Sequence, residues 1–470
     1  MGSREGSRDK GSREGNRGGR SCSHPIELEV RPILIERAIL ESHAPRGGMD
    51  PPGWPGVPYL EGTTVHRVPV AVDRDRRGPA GKESGGFLNP AMSGNRTRSV
   101  LMLNYLADSA LEGVQRIQTI DSMCATGIRT RRWLNELPKE TASRLRVRMC
   151  DMNEVALDWA RSNLARDPLG HNVSLTQGDA RRELLSQGWH WIDIDPYGSP
   201  MPFLDLAMQA TARRAIVSMS ATDTAALSGS SAGPLMRRYG ARVWPDGLKH
   251  DSGLRVLLAA AATAAARHDR VITPLLSVWD SHHLRVTVLV DRSKSGANSH
   301  QESIGWRVAN PSQEDVGLAI SAGLLPQHDN GSRPMHAMLP LNASPSGPGV
   351  SGPLWTGVVG DAGLMRSMSE EAASLICASN NSTPNLDEER HARRAVRNIA
   401  SEANAIHGAH LVVTDSLPGF LGGAGPPSPY SMAKGLRSMG FSAEVSRYGE
   451  PSFRSDAPWS TIVDLYKKGA

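Results

Sequence analysis

The stretch Trp191-Ile192-Asp193-Ile194-Asp195-Pro196-Tyr197-Gly198-Ser199-Pro200 decides the reading of this chain. Apolar residues alternate with acids, and the run stops at Asp-Pro-aromatic-Gly. The run reads as a buried strand that proline and glycine bring to an end. Asp195 is left at the carboxyl end of that strand, with the Tyr197 ring close behind it. In open α/β sheets the ligand lies just beyond such strand ends. A carboxylate beside a stacking ring suits a flat base whose amino group has a proton to give up. An ordinary strand followed by an Asp-Pro turn would carry the same letters, so the flanking segments decide.

Outward from this stretch, strand-like and helix-like segments alternate. Residues 95–111 carry Val100, Leu103, Leu106 and Leu111 at helical spacing. Strands are expected at 114–120, 145–150, 173–175, 191–194 and 215–219, with helices at 127–137, 154–164, 202–213 and 253–268. Two further strands, 271–279 and 284–290, form a hairpin around Asp280-Ser281-His282-His283. Strands separated by helices imply a parallel, doubly wound sheet, and the hairpin adds one antiparallel strand. That combination is the form of a Rossmann-like class I methyltransferase domain rather than a dehydrogenase.

Three domains are expected. Residues 1–60 form an extension, Gly/Ser/Arg-rich and then Pro-rich, in which Gly-Ser-Arg-Glu-Gly occurs at 2–6 and again at 11–15. Its first twenty or so residues are too poor in apolar side chains to fold, and Met49 opens more ordinary sequence. Residues 61–292 form the α/β domain. Residues 293–470 form a smaller α+β domain, polar and irregular to about 330, with a charged helix at 386–405, a strand at 411–413 and a helix at 431–439. Trp355, Phe453 and Trp459 are read as core of that last domain.

The formal charge of +5 and the pI near 9.1 are compatible with a polyanionic partner without establishing one. Candidate basic patches are Arg129 to Arg132, Arg237-Arg238, Arg393-Arg394 with Arg397, and Lys467-Lys468. The four cysteines, Cys22, Cys124, Cys150 and Cys377, show no Cys-x-x-Cys spacing, which argues against a structural zinc site. Scattered thiols suit a reducing compartment, and the longest apolar run is too short to span a bilayer. A cytoplasmic protein without membrane or metal is expected.

After the first strand comes Asp121-Ser122-Met123-Cys124-Ala125-Thr126-Gly127-Ile128-Arg129. Small residues let the backbone approach a ligand, the next helix begins there, and Arg129 adds a charge. Without G-x-G-x-x-G a pyrophosphate cradle is poorly supported, and a free carboxylate such as that of a methionine moiety fits better. Asp151 ends the second strand, where an acid can accept ribose hydroxyls. Asp179 ends the third, placed for an exocyclic amine of adenine. Each acid alone is more often a helix cap. Together the strand ends describe a nucleoside bound across the top of the sheet.

Phe87-Leu88-Asn89-Pro90, Asn95-Arg96, Ala125-Thr126-Gly127-Ile128-Arg129 and Asp195-Pro196-Tyr197-Gly198-Ser199-Pro200 follow one another in this order. The series resembles the tRNA (guanine-26-N2)-dimethyltransferase family. Further echoes are Ala221-Thr222-Asp223, His283 to Val286, Gly352-Pro353-Leu354-Trp355 and Arg454 to Trp459, so the likeness runs from about residue 61 to 465. The resemblance implies S-adenosyl-L-methionine as cofactor, held by Arg96, Arg129, Asp151, Asp179 and the backbone of Ala180. It implies tRNA as partner, bound by the C-terminal domain 293–470, and Asp195 as the catalytic carboxylate, with Pro196, Tyr197 and Phe87 around the base. It implies methyl transfer to the N2 amine of guanine 26, once and then again. Tyr197 stands where the family usually has Phe, and Leu88 where it has Tyr, which removes one ring from the base site. Some members carry a cysteine cluster after the hairpin, and residues 291–313 have none. Two rivals remain: an amino-methyltransferase acting on another RNA base, and an RNA-binding protein that keeps the fold without catalysis. A nicotinamide dehydrogenase, lacking the glycine fingerprint, is a distant third.

Overall fold

The computed structural model describes residues 50–71, 88–280, 282–378, 385–423, 425–446 and 450–469. Its centre is a seven-stranded sheet in the order β5-β4-β3-β6-β7-β9-β8. Those strands are β3 (Ile117–Asp121), β4 (Leu145–Asp151), β5 (Val173–Gln177), β6 (Trp189–Ile194), β7 (Thr211–Ala221), β8 (Arg270–Asp280) and β9 (His283–Arg292). Strands β3 to β7 pair in parallel, and β9 runs antiparallel between β7 and β8. The hairpin therefore inserts one reversed strand, as the sequence suggests. A short hairpin, β1 (Val57–Glu61) and β2 (Thr64–Val68), precedes the sheet.

The helices that position the site are α1 (Ser93–Ala107), α2 (Ile128–Glu136), α3 (Glu154–Leu164), α4 (Ala180–Leu184), α5 (Met201–Gln209) and α6 (Lys249–Ala266). Helix α6 is apolar nearly all round, with Leu254, Val256, Leu257, Leu258, Ala261 and Ala265 buried. A helix of that kind belongs inside a protein rather than on its surface. Trp133 of α2 shows how such helices lock on. Its indole N–H donates to Ser99 Oγ at 2.9 Å, and its ring meets Trp191 of β6 edge-on with centroids 6.2 Å apart.

Residues 304–355 add a sheet in the order β11-β10-β12, from β10 (Ile304–Ala309), β11 (His336–Pro340) and β12 (Val350–Trp355). A third sheet, β13-β15-β14, joins β13 (His410–Val413), β14 (Ala443–Val445) and β15 (Ser452–Ser455). Helix α7 (Gln313–Ser321) packs with the first of these sheets, while α9 (Pro429–Ser438) and α10 (Trp459–Lys467) pack with the other. Trp355, Phe453 and Trp459 are buried, as expected. The largest apolar cluster runs from Val100 to Val413 and so crosses the position, between 292 and 293, where the sequence suggests a domain limit.

Two expectations fail in this half. The stretch 293–330 is ordered into β10, α7 and shorter helical turns, because Ser312 and Asp315 form a reciprocal capping box that starts a helix in polar sequence. The helix expected at 386–405 breaks after α8 (Leu386–Val396). Arg397 is extended and Asn398 adopts a left-handed backbone (φ 65°) that asparagine tolerates better than most residues, and a second short helix follows at Ile399–Glu402.

Candidate active site

Sheet register builds the site. Asp121, Asp193, Ser218 and Thr287 are successive register partners across β3, β6, β7 and β9, so their side chains share one face near the carboxyl ends of the parallel strands. Ser218 and Thr287 hydroxyls meet at 2.6 Å. Two residues further on, the same face carries Ser220 and Arg285, which are also register partners. Asp195 lies two residues beyond Asp193, just past the end of β6.

Helices α1 and α2 close this face with Asn95 and Arg129. Arg129 donates to Asp195 and, at 3.0 Å, to Asn95 Oδ1, and its Nε stands 3.4 Å from Asp193. Arg285 donates to Asp193 at 2.5 Å and to Ser220 at 2.8 Å. Asn95 donates to Ser220 at 3.2 Å and approaches His283 Nε2 at 3.4 Å. All of these groups are buried except Asp195, whose side chain keeps 17% exposure.

The charges balance in a specific way. Burial pushes Asp121 up to about 7, and the carboxylates of Asp193 and Asp195 add to this against the pull of Arg129 and Thr130. Asp121 is thus only partly charged at neutral pH, and the Asp193 and Asp195 carboxylates face the guanidiniums of Arg129 and Arg285. Burial raises Asp195 too, but the guanidiniums of Arg129 and Arg285 outweigh it and hold the carboxyl below its usual range. Burial also drives His283 down to about 3, so it is neutral and fills space as an uncharged ring. Asp195 is therefore a fixed anion at the one partly open corner of a neutralised cluster.

The loop after Asp195 is tied down. Gly198 N–H donates to Thr222 Oγ1 at 2.6 Å, and Thr222 N–H returns to the Gly198 carbonyl at 2.8 Å. Tyr239 O–H donates to Asp223 at 2.9 Å and meets Ser199 Oγ at 2.8 Å. Ala221-Thr222-Asp223 thus braces the loop. Pro196 is buried, whereas Tyr197 stands 73% exposed, its ring open to a partner. Burial, then the charges of Asp151 and Asp195, raise the Tyr197 phenol pKa.

Three strand ends form the neighbouring nucleoside-like cradle. Asp151 accepts from Ala125 N–H at 2.8 Å and Asn153 N–H at 2.9 Å, which fixes its carboxylate beside the 121–129 loop. Two backbone bonds leave lone pairs on both oxygens for a vicinal diol. Asp179 caps α4 by accepting from Arg181 N–H at 2.9 Å, and the Arg181 side chain lowers its pKa. Ala180 opens that helix, where a backbone N–H has no intrahelical acceptor. Gly127, at φ 82°, turns the loop into α2. This set of acids and backbone donors fits an adenosine moiety.

Arg96 and Arg129 sit differently from the other residues named for the cofactor. Arg96 donates to Glu61 at 2.7 and 2.6 Å and to the Asn89 carbonyl at 2.9 Å. Arg129 is engaged with Asp195, Asp193 and Asn95 as described. Arg131 and Arg132, expected as part of a basic patch, are buried instead: Arg131 pairs with Asp167 and Arg132 with Glu61 and Glu136. Charged side chains on a helix facing protein must find such partners or remain too costly to bury. Phe87 lies outside the described residues, and Leu88 is buried against Tyr59, Val68 and Ile128. Asp193, Arg285, His283 and Ser220 carry no role-defining motif of their own in the sequence. Their signal was present as polar residues at alternate positions inside apolar strands.

Among the described residues no helix is long and apolar enough to cross a membrane, and no group of three or more His, Cys, Asp or Glu could hold a metal ion. The family profile described as N2,N2-dimethylguanosine tRNA methyltransferase matches residues 69–467. A protein named tRNA (guanine(26)-N(2))-dimethyltransferase from Aeropyrum pernix is 28% identical over 420 residues, covering 87% of this chain and 96% of the relative. One of the same name from Thermococcus kodakarensis is 27% identical over 401 residues, covering 81% and 93%. The solved structure of Trm1 from Pyrococcus horikoshii in complex with S-adenosyl-L-methionine shares the fold, with a TM-score of 0.65 at 21% identity over 87% of this chain and 99% of that one. The resemblance carried by the strand-end motifs is therefore confirmed, and the chain belongs to the N2,N2-dimethylguanosine tRNA methyltransferase family.

Proposed function

We propose that Asp195 is the group that accepts the proton in this S-adenosyl-L-methionine-dependent tRNA (guanine-26-N2)-methyltransferase. The observation that carries this reading is the anionic, partly open Asp195 held by Arg129 at the end of β6, beside the exposed Tyr197 ring. S-adenosyl-L-methionine supplies an electrophilic methyl group when bound. Asp151, Asp179 and the backbone of Ala180 are the residues we assign to its adenosine part.

A guanine amine is a poor nucleophile because its lone pair is delocalised into the ring. Asp195 accepts one N2–H hydrogen bond and so directs the lone pair away from itself. The Pro196 carbonyl is the candidate acceptor for the other hydrogen, and Tyr197 and Phe87 are the candidate stacking rings. As the nitrogen bonds to the methyl carbon the carbon–sulfur bond breaks and its electron pair stays on sulfur as a neutral thioether; the nitrogen becomes cationic, and the proton it shares with Asp195 becomes strongly acidic. A carboxylate with a lowered pKa can then take that proton, after which it passes to solvent. The same step repeats on the remaining N2–H. Pulling the base from its stack is needed first. Two further roles follow for Arg129: it keeps Asp195 ionised and fixes its direction. The site works in the cytoplasm on this reading, where tRNA maturation and reduced thiols coexist.

Asp195→Asn tests the assignment. Mass spectrometry of nucleosides from unmodified tRNA should show N2-methylguanosine and N2,N2-dimethylguanosine with the native chain. The variant should lose about 10²–10⁴-fold in rate, the usual range for a removed acid–base group. Cofactor binding by calorimetry should survive. Turnover near the native rate would remove Asp195 from the chemistry.

A further inference from the structure

We infer that Arg394 and His391 of helix α8 grip the RNA phosphate next to the guanine that enters the Asp195 site. The inference rests on the functional reading above and extends it to the C-terminal half of the chain.

Helix α8 packs against α1, the helix whose Asn95 reaches into the site. At one end, Gly62 N–H of the β1–β2 turn donates to Glu388 at 2.8 Å. At the other, Arg98 of α1 donates to the Ala395 carbonyl at 2.9 Å and to Asp280 of the β8–β9 turn at 2.7 Å. Gly94 allows this approach, since a Cβ there would stand 3.3 Å from the Ala395 Cβ. The helix therefore bridges the hairpin that carries Glu61 and the hairpin that carries His283. Beneath it is a cleft of about 190 Å³, lined among others by Tyr59, Pro90, Gly94, Asp280, His391 and Arg394. The next residue after Gly94 is Asn95, which contacts Arg129 and Ser220 inside the site.

Charge pairing singles out Arg394. Arg390 is paired with Asp387 at 3.2 Å, and Arg393 with Glu370 at 3.0 Å and Glu389 at 3.7 Å. The acid on the cleft wall, Asp280, is paired with Arg98 at 2.7 Å. Arg394 is exposed and has no ion pair among the described residues. His391 precedes it by one helical turn on the same face. Even a neutral imidazole offers one N–H donor, and a guanidinium offers five in a fork suited to phosphate. The guanidinium of Arg394 and the imidazole of His391 give the cleft the lining for a backbone phosphate. Phosphate contacts set register and do not read sequence. This pair would hold the strand while the base is extruded.

The experiment measures direct binding of unmodified tRNA by the full chain over a range of salt, together with the KM for tRNA and the cofactor affinity. Arg394→Ala should raise the KM about tenfold and reduce the slope of log affinity against log salt by about 1, the signature of one lost phosphate contact. Arg394→Lys should recover most of the slope, and His391→Ala should weaken binding further when combined with Arg394→Ala. Cofactor affinity should not move. Arg292→Ala is the control: it removes the same charge from the exposed far end of β9 and should behave as native. A slope and KM for Arg394→Ala equal to those of Arg292→Ala would overturn the inference. Because binding is read directly, this result stands apart from the outcome for Asp195. Loss of the methyl-transfer reading would show as native chain that leaves tRNA unmodified.

Discussion

Replacing Glu61 by Gln should destabilise the protein by about 3 kcal/mol, and the size follows from two independent routes. Glu61 is fully buried and holds Arg96 at 2.6 Å and Arg132 at 3.0 Å. Burial alone would raise its pKa, but the two guanidiniums reverse this and bring it from 4.5 to about 2. By linkage that fall corresponds to about 3 kcal/mol of stability at neutral pH. Removing one member of a buried ion pair costs about 3–5 kcal/mol on general grounds. The lower figure applies here, since Arg132 keeps Glu136 at 2.7 Å and only Arg96 loses its carboxylate. The sign with pH is fixed. A carboxyl whose folded pKa is depressed contributes fully above its unfolded value and loses its contribution as pH falls through the folded one. The gap between native and Glu61→Gln should thus be constant from about pH 5 to 8 and close towards pH 2. Urea unfolding followed by tryptophan fluorescence at several pH values measures it. A loss below about 1 kcal/mol at pH 7 would refute the reasoning, as would a gap that does not narrow on acidification.

Gly127→Ala should cost about 1–2 kcal/mol of stability, because φ 82° is a left-handed conformation that a Cβ opposes. It should also weaken S-adenosyl-L-methionine binding in calorimetry, since the added Cβ meets Met149 at 2.2 Å where the loop enters α2. Unchanged stability and affinity would show that the loop does not need its glycine. Tyr197→Ala should leave folding and cofactor affinity intact, because the ring is 73% exposed. It should lower kcat/KM for tRNA about five- to a hundredfold, matching a stacking contribution of about 1–3 kcal/mol. Tyr197→Phe should behave as native, and a Tyr197→Ala enzyme of native efficiency would exclude the ring from base binding.

Local sequence carried the strands well because their signals are short in range. Asp195-Pro196-Tyr197-Gly198 ends β6 by backbone chemistry that no distant contact can override. The acids at the ends of β4 and β5 were legible for the same reason. What lay out of reach was pairing. Arg96, Arg131 and Arg132 look like solvated cations until Glu61 and Asp167, 35, 36 and 71 residues away, are brought to them. Arg129 shows this most clearly: its position at the start of α2 was readable, but its bond to Asp195 spans 66 residues. The break after Val396 is not legible in the sequence because apolar spacing continues through it, while the left-handed Asn398 is a single-residue event. Order at 304–321 is hidden in the sequence because polar composition masks a strand and a capped helix.

Helix α8 also bears on how the enzyme is made. Its anchors to Gly62 and Arg98 join positions 326 and 297 residues apart. During synthesis the seven-stranded sheet can assemble long before residue 386 leaves the ribosome, yet those anchors are missing until then. A product that stops short of that helix would therefore keep Asp195 and the sheet and lack the helix that ties the Gly62 turn to α1. Nonsense and frameshift alleles between codons 293 and 386 should consequently be null, even though they spare every residue of the sheet.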